Sequence, residues 1–125
     1  MGVVRAADIP EFELMGNHMR GLATPSRGAA EVAVWRGVTE PGAASPPHTH
    51  DHEEVLVVLA GSGAASVDGE RVEVSPGDVL IVPPKRLHQL FGPEHGEPLD
   101  AMAVMPIGTR TFLPDGEELQ APWAE

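Results

Sequence analysis

An all-β antiparallel sandwich or barrel is the fold class this sequence predicts, on three observations. From Glu31 onward, short runs rich in valine, leucine and isoleucine recur at roughly the 8–12-residue spacing of all-β domains. Nearly every gap between runs carries turn chemistry, as at Glu40-Pro41-Gly42, Asp68-Gly69 and Pro76-Gly77-Asp78. Finally, 14 glycines and 13 prolines are scattered over 125 residues, a density hostile to a helical bundle.

The elements follow in order. Phe12, Leu14 and Met15 fit an edge strand or a short helical turn, and Gly21 to Gly28 is expected as loop. Val32, Val34, Trp35 and Val38 form a strand that stops at Pro41-Gly42. The run Val55 to Leu59 is apolar at every position, as in a strand covered on both faces. Leu56 and Val58 would face the core, while Val55, Val57 and Leu59 face outward. Such an outer face needs cover from another subunit or from the N-terminal segment, so a homodimer is expected.

Beyond Gly61-Ser62-Gly63, Ala65 and Val67 lead into the Asp68-Gly69 hairpin, and Val72 and Val74 continue it. Val79 to Val82 is the next strand, ended by Pro83-Pro84. Leu87 to Phe91 and Leu99 to Met105 supply two more, with a loop over Gly92 to Pro98. The tail from Pro114 has one large anchor, Trp123, and either docks on the barrel or frays. One domain spans 1–125, with a motif-bearing core at about 32–104. Segments 1–31 and 106–125 are expected to pack outside it.

Charge and composition exclude several functions. The formal charge of −11 repels a phosphate backbone, so nucleic acid is an unsuitable partner. Without cysteine there is no disulfide and no thiolate ligand, and any metal must be held by nitrogen and oxygen. No stretch approaches a membrane span or a signal peptide, so a cytoplasmic protein is expected. The sequence contains no G-x-S-x-G elbow, phosphate loop or dinucleotide fingerprint.

The chemistry is concentrated in His48-Thr49-His50-Asp51-His52-Glu53-Glu54. On an extended chain His48, His50, His52 and Glu54 share a face, and His88 follows the Pro83-Pro84 turn. Three imidazoles and one carboxylate suit Fe, Mn, Co, Ni, Cu or Zn, whereas Mg and Ca prefer oxygen ligands. A solvated histidine-rich loop has the same spacing, so the residues alone leave both readings open.

The intervals resemble the two motifs of the cupin superfamily. Gly42, His48, His50, Glu54 and Gly61 match the first, G-x5-H-x-H-x3-E-x6-G, in full. Gly77, Pro83 and His88 match the second, which departs at Lys85 in place of glycine and at Gly92 in place of asparagine. The resemblance covers about Val32 to Val104. It implies an antiparallel double-stranded β-helix, or jelly-roll barrel, with one divalent transition metal bound by His48, His50, Glu54 and His88.

His52 is not usually a ligand in such relatives and is expected to have a structural role. Asp51 and Glu53 are candidate acceptors for ligand N–H groups, although solvated carboxylates are the simpler reading. Lys85 and Arg86 could recognise an anionic substrate or merely face solvent in a turn; the turn is preferred. His18 and His95 are expected in solvent, and Met102, Met105 and Phe91 as ordinary core rather than pocket wall.

The implied function is a metal-dependent enzyme of dioxygenase, isomerase or cyclase type, acting on a small oxygenated, metal-chelating substrate. Glu54 would serve as ligand and proton shuttle. With no tyrosine in the chain, elimination chemistry that uses a tyrosine of the protein is excluded. The other reading is a non-catalytic small-molecule binding or sensor module in the same barrel.

Overall fold

The computed structural model describes residues 2–125 and contains eleven strands and three short 3-10 turns. The strands are β1 (Phe12–Leu14), β2 (Asn17–Ala23), β3 (Val32–Thr39), β4 (Thr49–His50), β5 (Glu54–Ala60) and β6 (Gly63–Val67). They continue as β7 (Glu70–Val74), β8 (Val79–Val82), β9 (His88–Phe91), β10 (Leu99–Pro106) and β11 (Thr111–Phe112). A six-stranded sheet runs β1-β2-β3-β10-β5-β8, a three-stranded sheet runs β7-β6-β9, and β11 pairs with β4. Every pairing is antiparallel, which bears out the expected jelly-roll class.

Alternation along the strands builds the core. In β10, Leu99, Ala101, Ala103 and Met105 are buried, and in β5 Glu54, Leu56 and Val58 are, as their parity predicts. Val58 and Leu99 of the larger sheet pack with Ala65 and Val74 of the smaller, so the apolar faces meet between the sheets. Burying one leucine such as Leu99 contributes roughly 2–3 kcal/mol. Across the β3–β10 pairing, Ala101 lies opposite Gly37 and Ala103 opposite Trp35. These small side chains leave a hollow on the inner face that larger residues would fill.

The Asp68-Gly69 hairpin forms as expected, with φ of 50° and 84°, a left-handed pair suited to the twist of two strands. Met15-Gly16 makes a second such turn, at 53° and 82°, and settles Phe12–Leu14 as an edge strand. The loop expected over Gly21–Gly28 is corrected: β2 runs through to Ala23, and Pro25–Arg27 forms a 3-10 turn. Within that strand position 21 is glycine because a Cβ there would collide with the backbone carbonyl of Trp123. Its small size reflects close approach of the tail and not a turn.

In the described part of segment 1–31, expected outside the barrel, β1 and β2 instead join its larger sheet. The tail docks. Trp123 packs edge-on against Trp35 with ring centroids 6.0 Å apart, and the Ser26 N–H donates to the Glu125 carbonyl at 2.8 Å.

Candidate metal centre

The two motif segments are joined by main-chain bonds. The His48 N–H donates to the His88 carbonyl at 3.1 Å and the His88 N–H returns to His48 at 2.9 Å. His50 lies on β4, Glu54 opens β5 and His88 opens β9. The rings of His48, His50 and His88 converge, with centroids 4.2 to 5.1 Å apart, and one nitrogen of each lies within 4.8 Å of the others. His50, Glu54 and His88 are 3%, 4% and 3% exposed.

Each ring is anchored through Nδ1. His48 Nδ1 lies 2.6 Å from the Pro46 carbonyl and His88 Nδ1 lies 2.9 Å from that of Arg86. Both carbonyls can only accept, so Nδ1 carries a proton in each ring, and whenever the ring is neutral Nε2 keeps its lone pair. His50 Nδ1 is held by the Thr111 hydroxyl at 2.9 Å. The Nε2 atoms of His50 and His88 are buried without a hydrogen-bond partner. Each lies 3.2 Å from a Glu54 carboxylate oxygen but out of line for a hydrogen bond. Buried nitrogens held in this way, each with a partner at the far side of its ring, fit a divalent cation.

Burial, reinforced by His88, pushes the His48 pKa down to about 4. Burial works against charge on Glu54, yet the contacts with His50 and His88 outweigh it and hold its pKa at about 2. Burial likewise works against charge on His88, and the adjacent Glu54 carboxylate more than offsets it, raising that pKa. Metal ligation needs a charged carboxylate and neutral imidazoles; the shifts of Glu54 and His48 favour those states, while an ion would have to compete with a proton at His88.

All four expected site residues are therefore brought together. His52 is not among them: the chain bends at Asp51–His52, the strand parity is lost, and the ring turns outward to bond Asp51 at 2.8 Å. Glu53 is exposed and Asp51 accepts from Arg110, so neither orients a ligand; that role belongs to two carbonyls and to Thr111. Thr111 was not foreseen, since a threonine in a polar tail carries no sequence signal.

Lys85 adopts φ 65°, the left-handed conformation that glycine adopts without strain, and its N–H donates to the His50 carbonyl at 2.7 Å. Arg86 pairs with Asp68 at 2.6 Å. Asparagine at position 92 would place a Cβ against the Glu40 carbonyl. His18, expected in solvent, is instead half-buried between Glu11 at 3.2 Å and Glu40 at 2.6 Å.

The four site residues themselves line a cavity of about 100 Å3 that is open to solvent. Its wall includes Leu14, Met19, Trp35, Leu90, Leu119 and Trp123. Met102, Met105 and Phe91 do not line it.

The chain is 28% identical over 130 residues to a gentisate 1,2-dioxygenase of Ralstonia sp., a match covering 94% of this chain and 36% of the relative. It is 29% identical over 98 residues to auxin-binding protein 1 of Arabidopsis thaliana, covering 71% of this chain and 49% of the relative. The chain thus spans half or less of the length of either. In fold it is similar to the polyketide cyclase RemF of Streptomyces resistomycificus, with a TM-score of 0.76 at 22% identity over 99% of this chain and 89% of that one. A cupin-2 domain of Rhodospirillum rubrum gives the same TM-score at 19% identity, covering 91% and 80%. The Cupin domain profile matches residues 35–105, the stretch carrying His48, His50, Glu54 and His88, and the chain belongs to that family.

Proposed function

We propose that this chain is a metal-dependent cupin enzyme, of dioxygenase type, acting on a small oxygenated molecule that chelates its metal. The ligands are His48, His50, His88 and Glu54. The observation that carries this reading is the pair of buried, unpartnered Nε2 atoms of His50 and His88 beside the Glu54 carboxylate. A bound divalent transition ion would supply Lewis-acid polarisation and a template for the chelating substrate.

The protein's own part is positional and protic. Pro46, Arg86 and Thr111 hold the rings, the apolar wall excludes water, and Glu54 gives or takes a proton at its carboxylate oxygen. Likeness to a gentisate 1,2-dioxygenase favours oxygen chemistry over isomerase or cyclase chemistry. Likeness to auxin-binding protein 1 supports a second reading, a non-catalytic binding module. Oxygen uptake and product analysis with the metal-loaded protein over catechols, diketones and flavonols separate the two. At equal metal loading, turnover that falls by at least ~100-fold in Glu54→Gln is expected for a general acid–base, whereas stoichiometric binding of unchanged ligand would select the binding module.

The proposed assembly is a homodimer in the cytoplasm, formed through the outer face of β5 and the edge strand β8. Val79 and Ile81 are 56% and 61% exposed there beside Leu59, an apolar face of the kind that marks interaction surfaces. Light scattering at micromolar concentration is expected to give twice the chain mass, reverting to one in Ile81→Lys. A monomeric mass for the unsubstituted protein would refute the dimer. Among the described residues no helix is long and apolar enough to cross a membrane.

A further inference from the structure

The cavity wall constrains the ligand more tightly than the metal site does. Its centre is hollowed by Gly37, Ala101 and Ala103, three small residues on adjacent strands of one sheet face. At about 100 Å3 with one open side, it is comparable with the ~150 Å3 apolar cavity that takes up a benzene ring. The enclosed part takes one ring or a short chain, and a larger body would have to extend through the open side.

No lysine or arginine lines it among the described residues. The chain's cations are engaged elsewhere: Arg20, Arg36, Arg86 and Arg110 pair with carboxylates, Arg27 binds the Gly21 and Asp8 carbonyls, and Arg71 stacks over Phe91. Arg5 and Lys85 are exposed and outside the wall.

The polar groups of the wall are also engaged. Asn17 bonds Leu14, Ala44 and Thr39, Ser45 accepts from the Leu90 N–H, and Thr111 holds His50. The donors without a recorded partner are the Ser45 hydroxyl and the buried indole N–H groups of Trp35 and Trp123, all uncharged. A neutral donor returns too little to offset the desolvation of a carboxylate remote from the metal, and the net charge of −11 adds repulsion.

We propose that the ligand presents its chelating oxygens to the His48–His50–His88 centre and fills the cavity with an uncharged, apolar body of single-ring size. A negative charge on the part remote from the metal is rejected. The inference rests on the reading of that centre as a metal site, and it separates this chain from any protein that grips a remote carboxylate with arginine or lysine.

Its test uses the full chain loaded with zinc, which is redox-silent. The ligands are 4-methylcatechol and 3,4-dihydroxybenzoate, which chelate through the same hydroxyl pair and differ only in the remote substituent. The two tryptophans of the chain both line the cavity and there is no tyrosine, so intrinsic fluorescence reports its occupancy. After correction for each ligand's affinity for free zinc, 4-methylcatechol is expected to bind at least ~10-fold more tightly, the minimum set by an unpaired buried carboxylate. Ala101→Leu, which fills the hollow, is expected to weaken 4-methylcatechol by ~10-fold or more with zinc stoichiometry unchanged.

Equal affinity for the two catechols would overturn the proposal. Zinc-loaded protein that binds neither would overturn it too, while leaving the metal centre standing. Zinc that fails to bind overturns the metal reading and this one with it.

Discussion

The His50→Ala variant is expected to leave unsupplemented medium with less than about a tenth of an equivalent of transition metal per chain, where the unsubstituted protein carries close to one. The substitution removes an imidazole that is 3% exposed and whose Nε2 has no other partner. It also strips Thr111 of its bond and opens space beside the Trp35 ring, 6.3 Å from that of His50. Replacing an outer partner of a metal ligand already costs about 10–100-fold in affinity, and losing the ligand itself costs more. Elemental analysis of both proteins decides the matter. Less than about a tenth of an equivalent in the unsubstituted protein would defeat the metal centre itself.

Gly61→Ala is expected to destabilise the fold by at least about 2–3 kcal/mol, measured by urea unfolding. Gly61 closes the first motif and sits at φ 76°, where a side chain is strained. More decisively, a Cβ would run into the carbonyl of Pro98 and approach that of Glu97. Backbone cannot rotate aside as a flexible side chain can, so the turn must open and pull β5 and β10 out of register. An unchanged midpoint would show that the close approach of the 97–98 segment is not needed. Gly69→Ala offers a control at similar φ, 84°, with open space around its Cβ, and should cost less.

What could be read from the residues depended on whether structure was locally coded. The parity of Leu56 and Val58 and the Asp68-Gly69 turn are properties of a few neighbouring residues, and they stand as expected. The intervals from Gly42 to Gly61 likewise placed His48, His50 and Glu54 together. Where a distant segment decides, the sequence falls silent. Gly21 looks like a loop glycine because the Trp123 carbonyl that demands it is far away in the chain. His52 shares the parity of His50, yet a bend set by Asp51 binding the Arg110 N–H turns it to solvent. Thr111 reaches His50 across 61 positions and carries no local mark of doing so. The cavity wall has the same origin, since Trp123 becomes part of it only when the tail lies against Trp35.

The reciprocal main-chain bonds between His48 and His88 bear on the order of folding. The imidazoles belong to β4, β9 and the segment before β4, and their supports come from Pro46, Arg86 and β11. The Pro46 and Arg86 supports are local, but the three rings meet and Thr111 reaches His50 only when distant segments have closed on one another, and such non-local closures are the slow steps of folding. An ion bound there would find its full set of ligands only after that closure. Refolding rates should be indifferent to added metal, while unfolding rates of the loaded protein should fall with it.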